Sequence, residues 1–596
     1  MTTYKAPLRD IRFVLHELLE AQTLTALPGL EEATTDLVDA VIEEGARLCE
    51  NVLFPLNRTG DEEGCSFENG VVRTPEGFKE AYQQFREGGW IGLASDAAYG
   101  GQGLPKALKL VVDEMVCSAN LSFSTYPGLS AGAYNAIAAH GSDEQKALFL
   151  PKLTSGAWSG TMCLTEPQCG TDLGLIRTRA EPQGDGGFAI SGTKIFISAG
   201  EHDLTENILH LVLARLPDAP AGIKGISMFL VPKFLPRPDG TPGARNGLAC
   251  GAIEHKMGLK ASATCVMNFD GATGWLIGEP HRGMRAMFTM MNDARLEVGI
   301  QGLGVAETAY QSAVAYARER LQGRALKGAR FPDRPADPIL VHPDVRRMLL
   351  TMRAVVEGAR ALAAWAGMAG DVAARHPDPQ ARQDADDLLA LMTPVIKAYF
   401  TDQGSLCANL GVQVMGGHGY IAEWGMEQLV RDARITQLYE GANGIQALDL
   451  VGRKVPAHFG RYLRSFFHPA LAFIEEHQAD PGLSEFVMPF AKAFSRLQQV
   501  TLHLAQQGLR DPDEAGAASH DYLRLFALVA IAYMWARAAK VAQARLEGGT
   551  AEAGFYEAKL ATARFFMTKL LPENSALFAQ IMAGGRPVMA FDDAAF

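Results

Sequence analysis

The amino-acid sequence predicts a multi-domain, mainly α protein with a central β-domain, and three observations carry that reading. The 596 residues exceed what one hydrophobic core ordinarily organises, and roughly 150 residues per domain suggests three to five domains. Hydrophobic residues make up 48% of the chain and charged ones 20%, with a mean hydropathy of zero, so several cores can be filled and no disordered composition is present. The apolar period shifts from helical to strand-like near residue 165 and returns to helical after residue 283.

The elements follow in chain order. Residues 1–35 read as an N-terminal helical extension, because Ile11, Val14, Leu15, Leu18 and Leu19 fall on one helical face. Charges and Pro7 stand where an export signal needs its apolar stretch, so no export is expected. Residues 36–164 form a helical domain, with amphipathic stretches at 37–52, 78–86, 108–119 and 144–153. Residues 165–283 form the β-domain: 188–190, 194–198, 209–216, 226–231 and 266–269 are short apolar or alternating runs between Gly, Pro and Asp turns. Residues 284–455 are helical again, at 302–322, 345–374, 382–411 and 445–452, broken by the Pro- and Asp-rich loop 331–338. Residues 456–596 form an additional C-terminal helical domain with a breaker at 511–516. Its apolar run 525–536, flanked by Arg524 and Arg537, is short of the roughly 20 residues a bilayer requires and reads as a buried helix with no membrane span.

Charge and cysteine usage exclude several function classes. Lys plus Arg number 55 against 67 Asp plus Glu, a net charge of −12, which disfavours a nucleic-acid or anionic-membrane surface. From Arg461 onward the balance is 13 Lys plus Arg against 14 Asp plus Glu, so the last domain is a packing and assembly element rather than a polyanion binder. The eight cysteines form no C-x-x-C pair and have no His partner at ligand spacing, so no metal site is expected. Sparse cysteines in a long chain fit buried thiols in a reducing, cytoplasmic compartment.

Three stretches stand apart from generic core. In the first, Met162-Cys163-Leu164-Thr165-Glu166-Pro167-Gln168-Cys169-Gly170-Thr171-Asp172 joins helices to strands through a Pro/Gly-shaped loop. Its hydroxyls and backbone N–H groups suit a heteroaromatic edge or a phosphate, or serve simply as a capped turn. In the second, Lys194-Ile195-Phe196-Ile197-Ser198 reads as a strand whose alternation sets Phe196 and Ser198 on one face, an aromatic plane beside a hydroxyl. The third runs from Gln413-Val414-Met415-Gly416-Gly417 to Tyr439-Glu440-Gly441-Ala442-Asn443-Gly444-Ile445-Gln446, a glycine cluster followed by a lone carboxylate. Glu440 is a candidate base, or else an acid stabilised at a helix N-terminus. A Rossmann reading fails, because Gly299-Ile300-Gln301-Gly302-Leu303-Gly304 has the wrong spacing and lies in helical sequence.

These stretches, in this order and with Gly89-Trp90-Ile91-Gly92-Leu93 and Tyr99-Gly100-Gly101-Gln102-Gly103-Leu104-Pro105 before them, resemble the acyl-CoA dehydrogenase family from about Gly89 to Lys454. The N-terminal helix and extra C-terminal domain resemble its large bacterial subgroup of about 600 residues, which includes long-chain acyl-CoA dehydrogenases and 3-methylmercaptopropionyl-CoA dehydrogenase. The resemblance implies a helical bundle, a β-barrel and a second helical bundle, and an FAD-dependent oxidoreductase that converts an acyl-CoA to the trans-2-enoyl-CoA. It implies a fatty acyl-CoA substrate in β-oxidation, with 3-methylmercaptopropionyl-CoA as the alternative, and electrons passed to an electron-transfer flavoprotein. An oxidase or a DNA-associated flavoprotein is disfavoured.

On the same resemblance, Glu440 takes the α-proton, and its own backbone N–H helps hold the thioester oxygen. Met162, Leu164, Thr165, Phe196, Ile197 and Ser198 hold the flavin ring, together with Ala442, Asn443 and Gly444. Arg320, with Arg324 as the alternative, reaches the FAD pyrophosphate. Gln413, Val414, Met415, Gly416 and Gly417 touch the FAD of a neighbouring subunit, which implies a homodimer or homotetramer. Thr171, Asn292, Arg295 and Gly441 contact the substrate. Some relatives carry the base just before the arginine that here is Arg295; Ala294 holds that place and cannot act, leaving Asp293 as the fallback.

Overall fold

A computed structural model describes residues 2–184 and 186–596 of the chain. The chain divides into two compact units: Met1–Ala46, Pro105–Ser118 and Val298–Phe596 make one, and Arg47–Leu104 with Ala119–Glu297 make the other.

The second unit contains the sheet. A hairpin of β1 (Ser66–Glu68) and β2 (Val71–Arg73) falls inside a stretch read from sequence as helical. Strands β3 (Trp158–Cys163), β4 (Arg179–Pro182), β5 (Phe188–Ser198), β6 (Asn207–Arg215) and β7 (Ile226–Pro232) belong to the main sheet. So do β10 (Leu248–Ile253) and β11 (Thr264–Ile277), while β8 (Phe234–Pro236) and β9 (Pro242–Arg245) form a separate hairpin. The main sheet runs β10-β11-β5-β4-β6-β3, and β7 pairs with both β11 and β6.

Helical sequence was expected up to residue 164, but Trp158–Cys163 is a strand, parallel to β6 with Met162 opposite Leu211. A parallel partner some 50 residues away leaves no local turn signal to read. Every residue of β6 from Asn207 to Ala214 is buried. Leu209, Leu211 and Leu213 enter one core with Trp158, Phe149 and Ile137, whereas Val212 and Ala214 enter the other with Ile190, Phe229 and Met267. A strand covered on both faces must be apolar throughout, which is why it reads as a continuous run. The flanking helices start on strong caps: Asn120 accepts from Phe123 N, and Ser142 with Gln145 makes a capping box.

The long helices Gly283–Glu319, Pro343–Arg375 and Pro379–Met415 start or end close to the expected bounds, the first beginning well before residue 302 and belonging to the helical unit only from Val298 onward. The glycines at 299, 302 and 304 are explained by packing. A Cβ on Gly302 would sit 2.5 Å from Phe400 O, and one on Gly304 would sit 2.7 Å from the Cβ of Cys117. Asp371 caps the helix Lys106–Ala119 from outside, accepting from Lys106 N at 2.6 Å and Ala107 N at 3.0 Å. The N-terminal stripe is buried as expected, with Ile11 fully covered, although Phe13–Leu18 is wound as a π-helix. The run 525–536 lies in a longer helix, Pro512–Glu547. Among the described residues it alone is long and apolar enough to cross a membrane, and 83% of its most apolar window is buried inside the protein. Trp535 from this helix donates to Ala354 O at 3.1 Å.

Candidate active site

The first group of site residues lies in the sheet-bearing unit. Glu166 and Lys194, quoted in the motifs but given no role from sequence, form its hub. The Lys194 ammonium, fully buried, donates to Glu166 Oε1 at 2.8 Å and to Leu164 O at 3.0 Å. Glu166, only 3% exposed, also accepts from Arg177 N, Thr178 N and the Thr178 hydroxyl. Burial works to raise the pKa of Glu166, but the Lys194 charge and these donors overcome it and hold the carboxyl down at about 2. Burial pulls Lys194 below its ordinary value, opposed by the Glu166 charge. Ile195 N donates to Thr165 O at 2.9 Å, so the carbonyls of Leu164 and Thr165 are both tied to β5. A lysine inside an apolar strand and a glutamate in the preceding loop were the available signal, since neither is stably buried alone.

The predicted alternation in β5 is interrupted. Ile195 and Phe196 together face Val266, a β-bulge, with Phe196 in the left-handed region at φ 58°. Unbroken alternation would set Lys194 on the same face as Phe196 and Ser198. The extra residue shifts the phase, so Lys194 and Ile197 are both buried while Phe196 is 60% exposed and Ser198 half-buried. Met162 and Thr165 are half-buried, Leu164 and Ile197 are buried, and Thr171 and Asn292 are exposed. Arg295 is buried, 3.4 Å from Asn292 Oδ1. The fallback carboxylate Asp293 accepts from Asn135 Nδ2 at 2.7 Å.

Replacing Lys194 by Met keeps the volume but strands Glu166 and leaves the Leu164 carbonyl without its ammonium donor. The expected result is a loss of about 3–5 kcal/mol of stability, read as a lower thermal midpoint. The sign with pH follows from Glu166. Its stabilisation is present above the ordinary carboxylate value of 4.5 and is lost as pH falls through about 2, so the wild-type pair survives mild acid.

The second group lies in the helical unit. Glu440 is half-buried, with φ 56°, and Gly441 follows at φ 87°. Gln446 Nε2 donates to Glu440 O at 3.2 Å and to Gly441 O at 3.0 Å. The Asn443 amide is taken up by the helix Pro379–Met415: Oδ1 accepts from Lys397 Nζ at 2.9 Å and Nδ2 donates to Asp402 Oδ1 at 2.8 Å. Asp402 also accepts from Gln437 Nε2 at 2.7 Å, so both ends of the Glu440 loop rest on one helix. The Tyr439 hydroxyl donates to Gln301 Oε1. Burial first, and then the Glu440 charge, push that phenol well above its ordinary value.

Val414 and Met415 are buried, Gln413 is exposed, and Gly416 at φ 61° ends the helix. A Cβ at Gly416 or Gly417 would meet no atom within 4 Å, so their backbone is open to an approaching group. His418 stacks on Trp424 with centroids 4.4 Å apart, and its Nδ1 lies 3.0 Å from the Tyr316 hydroxyl. The two arginines also part ways. The guanidinium of Arg324 staples the loop 331–338, donating to Phe331 O at 3.0 Å, Arg334 O at 2.6 Å and Pro335 O at 3.2 Å, while Arg320 is exposed.

Family comparisons match this architecture in order: acyl-CoA dehydrogenase N-terminal domain at residues 39–157, middle domain at 161–272 and C-terminal domain at 281–455, then an acetyl-CoA dehydrogenase C-terminal-like model at 466–592. A 3-methylmercaptopropionyl-CoA dehydrogenase of Ruegeria pomeroyi is 46% identical over 98% of this chain and 98% of its own. The chain belongs to the acyl-CoA dehydrogenase family. A broad-specificity linear acyl-CoA dehydrogenase, FadE5 of Mycobacterium tuberculosis, is 35% identical over the full length of both chains. An acyl-CoA dehydrogenase of Bacillus anthracis, solved with FAD, has the same fold: TM-score 0.76 at 20% identity, over 93% of this chain and 89% of that one. The family is FAD-binding, and the expectation of an FAD-dependent acyl-CoA dehydrogenase stands. Within the sheet-bearing unit the residues present fit such a cofactor: an open aromatic face at Phe196, a half-buried hydroxyl at Ser198 and pinned backbone at 164–166.

Proposed function

We propose that this acyl-CoA dehydrogenase removes the α-proton of its thioester with the Glu440 carboxylate, giving the trans-2-enoyl-CoA. The observation that carries the reading is the half-buried Glu440, set in a left-handed loop that is fastened at both ends. A thioester α-proton is far less acidic than a carboxylic acid in water. The Glu440 N–H lowers the barrier by donating to the thioester oxygen as charge develops there, and substrate closing over the carboxylate desolvates it and strengthens it as a base. FAD, when bound, supplies the acceptor for the hydride that leaves the β-carbon.

The backbone of Met162, Leu164, Thr165 and Ile197, the Phe196 ring and the Ser198 hydroxyl hold the flavin on this reading, with Ala442, Asn443 and Gly444. For Asn443 the contact falls to the backbone, because its amide is engaged by the neighbouring helix. Arg320 is favoured over Arg324 for the pyrophosphate, since Arg324 is occupied by its own loop. Gln413 to Gly417 serve a neighbouring copy, through open backbone at the two glycines, which calls for a homodimer or homotetramer. Thr171, Asn292, Arg295 and Gly441 meet the acyl-CoA. An electron-transfer flavoprotein reoxidises the enzyme, in the cytoplasm.

For the acyl group, a fatty acyl-CoA of β-oxidation is the first reading. The second, 3-methylmercaptopropionyl-CoA, is favoured by the 46% identity to a dehydrogenase of that name across the whole chain. Anaerobic stopped-flow mixing with acyl-CoA thioesters of four to sixteen carbons and with the 3-methylthio compound tests both. Bleaching of the flavin absorbance by at least one member is expected, and the fastest member names the substrate. No bleaching by any of them, or rapid peroxide formation in air, would overturn the dehydrogenase assignment.

A further inference from the structure

Glu440 and Gly441 are consecutive left-handed residues, at φ 56° and 87°. Glycine takes that conformation freely, whereas a glutamate is disfavoured there and stays only where its surroundings hold it. The group that holds it is the Gln446 amide, fully buried, whose Nε2 donates to both carbonyls of the left-handed pair. Of the two ends of a glutamine amide only the NH2 can donate to carbonyls, so the orientation of this side chain follows from the contacts themselves.

Two details separate this from ordinary helix packing. Gln446 lies in the helix Asn443–Asp449 and its backbone N–H already donates to Ala442 O at 3.0 Å, so its side chain contributes nothing to that helical ladder. Its Oε1 is buried without a partner among the described residues.

We propose that Gln446 is a positioning residue for the base: it fixes the Glu440 main chain in the left-handed form, and so aims both the carboxylate and the backbone N–H. The proposal rests on Glu440 being the base. Asn443, locked by Lys397 and Asp402, fixes where the loop re-enters its helix, and Gln446 sets the conformation of the two residues that matter.

The full-length FAD-loaded enzyme carrying Gln446→Met tests this, because Met matches the length and burial of Gln but has neither donor nor stranded oxygen. Misaiming a reacting group by about 1 Å can cost on the order of 100-fold in rate, so flavin reduction at saturating acyl-CoA is expected to fall about 30- to 100-fold. FAD content and the acyl-CoA dissociation constant should stay within about threefold of wild type, placing the loss in kcat rather than KM. The thermal midpoint should be unchanged or higher, since the unpaired oxygen is gone, and the rate of deuterium wash-in from D2O at the acyl α-carbon should fall with the reduction rate. Gln446→Leu is the second variant, with the same split expected. A reduction rate within threefold of wild type, while Glu440→Gln abolishes it, overturns the positioning role and leaves the base standing. A midpoint that falls in step with the rate also overturns it, in favour of plain structural support. If Glu440→Gln keeps its rate, the base assignment fails first and this proposal with it.

Discussion

Glu440→Gln should give a folded, yellow protein that binds acyl-CoA and no longer bleaches with it. The amide fills the same volume and meets the same backbone demand, so the loop fastened by Gln446, Asn443 and Gln437 is preserved. What is lost is the acceptor for the α-proton. General-base contributions run to about 10²–10⁴-fold, equivalent to roughly 3–5 kcal/mol of barrier. Glu440→Asp is the sharper control, because it keeps the charge but withdraws the carboxylate by one methylene, enough for a loss of about 10²-fold. The fallback carboxylate Asp293 is engaged by the Asn135 amide, and Ala294 carries no acid. Stopped-flow reduction with the best substrate of the panel provides the measurement. A near-wild-type rate in Glu440→Gln would remove Glu440 from the chemistry.

The parts of the fold and of the candidate site that could be read from sequence are those whose reason is local. The glycines flanking the helix end at 416 and 417, the Tyr-Glu-Gly turn before a helix, and the apolar stripe at 11–19 each declare themselves within one turn of chain. Features that depend on a distant partner did not. Nothing near Trp158 announces a parallel partner at Asn207, and nothing in Lys194-Ile195-Phe196 announces that one extra residue will face Val266 and change which side chains are covered. Arg320 and Arg324 were indistinguishable until the folded loop 331–338 presented its carbonyls to one of them. Glu166 and Lys194 illustrate the same limit. Both stand in the quoted motifs, but their pairing over 28 positions is a property of the sheet.

The second large effect is expected at Arg360. Its guanidinium is 1% exposed and meets three carboxylates: Glu114, at 2.6 Å from Nη2, Glu307 and Asp10. Lys559, from the additional C-terminal domain, pairs with Asp10 and with Glu357, 2.7 Å away, and Arg353 also pairs with Glu357. The N-terminal extension, the family core and the extra domain therefore share one buried charge lattice, and the acids in it outnumber the cations. Arg360→Met leaves three carboxylates around an apolar side chain, a loss of about 3–5 kcal/mol that should show as a much lower thermal midpoint at pH 8. At lower pH the defect should shrink. Burial raises Glu114 to about 7 even with Arg360 present, so this acid holds its proton more tightly folded than unfolded. Its contribution is complete below the ordinary value of 4.5 and is lost as pH rises through about 7. Without Arg360 the opposing pull disappears, Glu114 moves higher still, and the midpoint should fall more steeply between pH 6 and 8 than in wild type. Asp371, raised by burial to about 6, titrates mostly below that window. Adding Glu114→Gln to Arg360→Met should flatten the extra slope. If the Arg360→Met midpoint tracks wild type in parallel across the window, the stranded carboxylates are not the source of the instability.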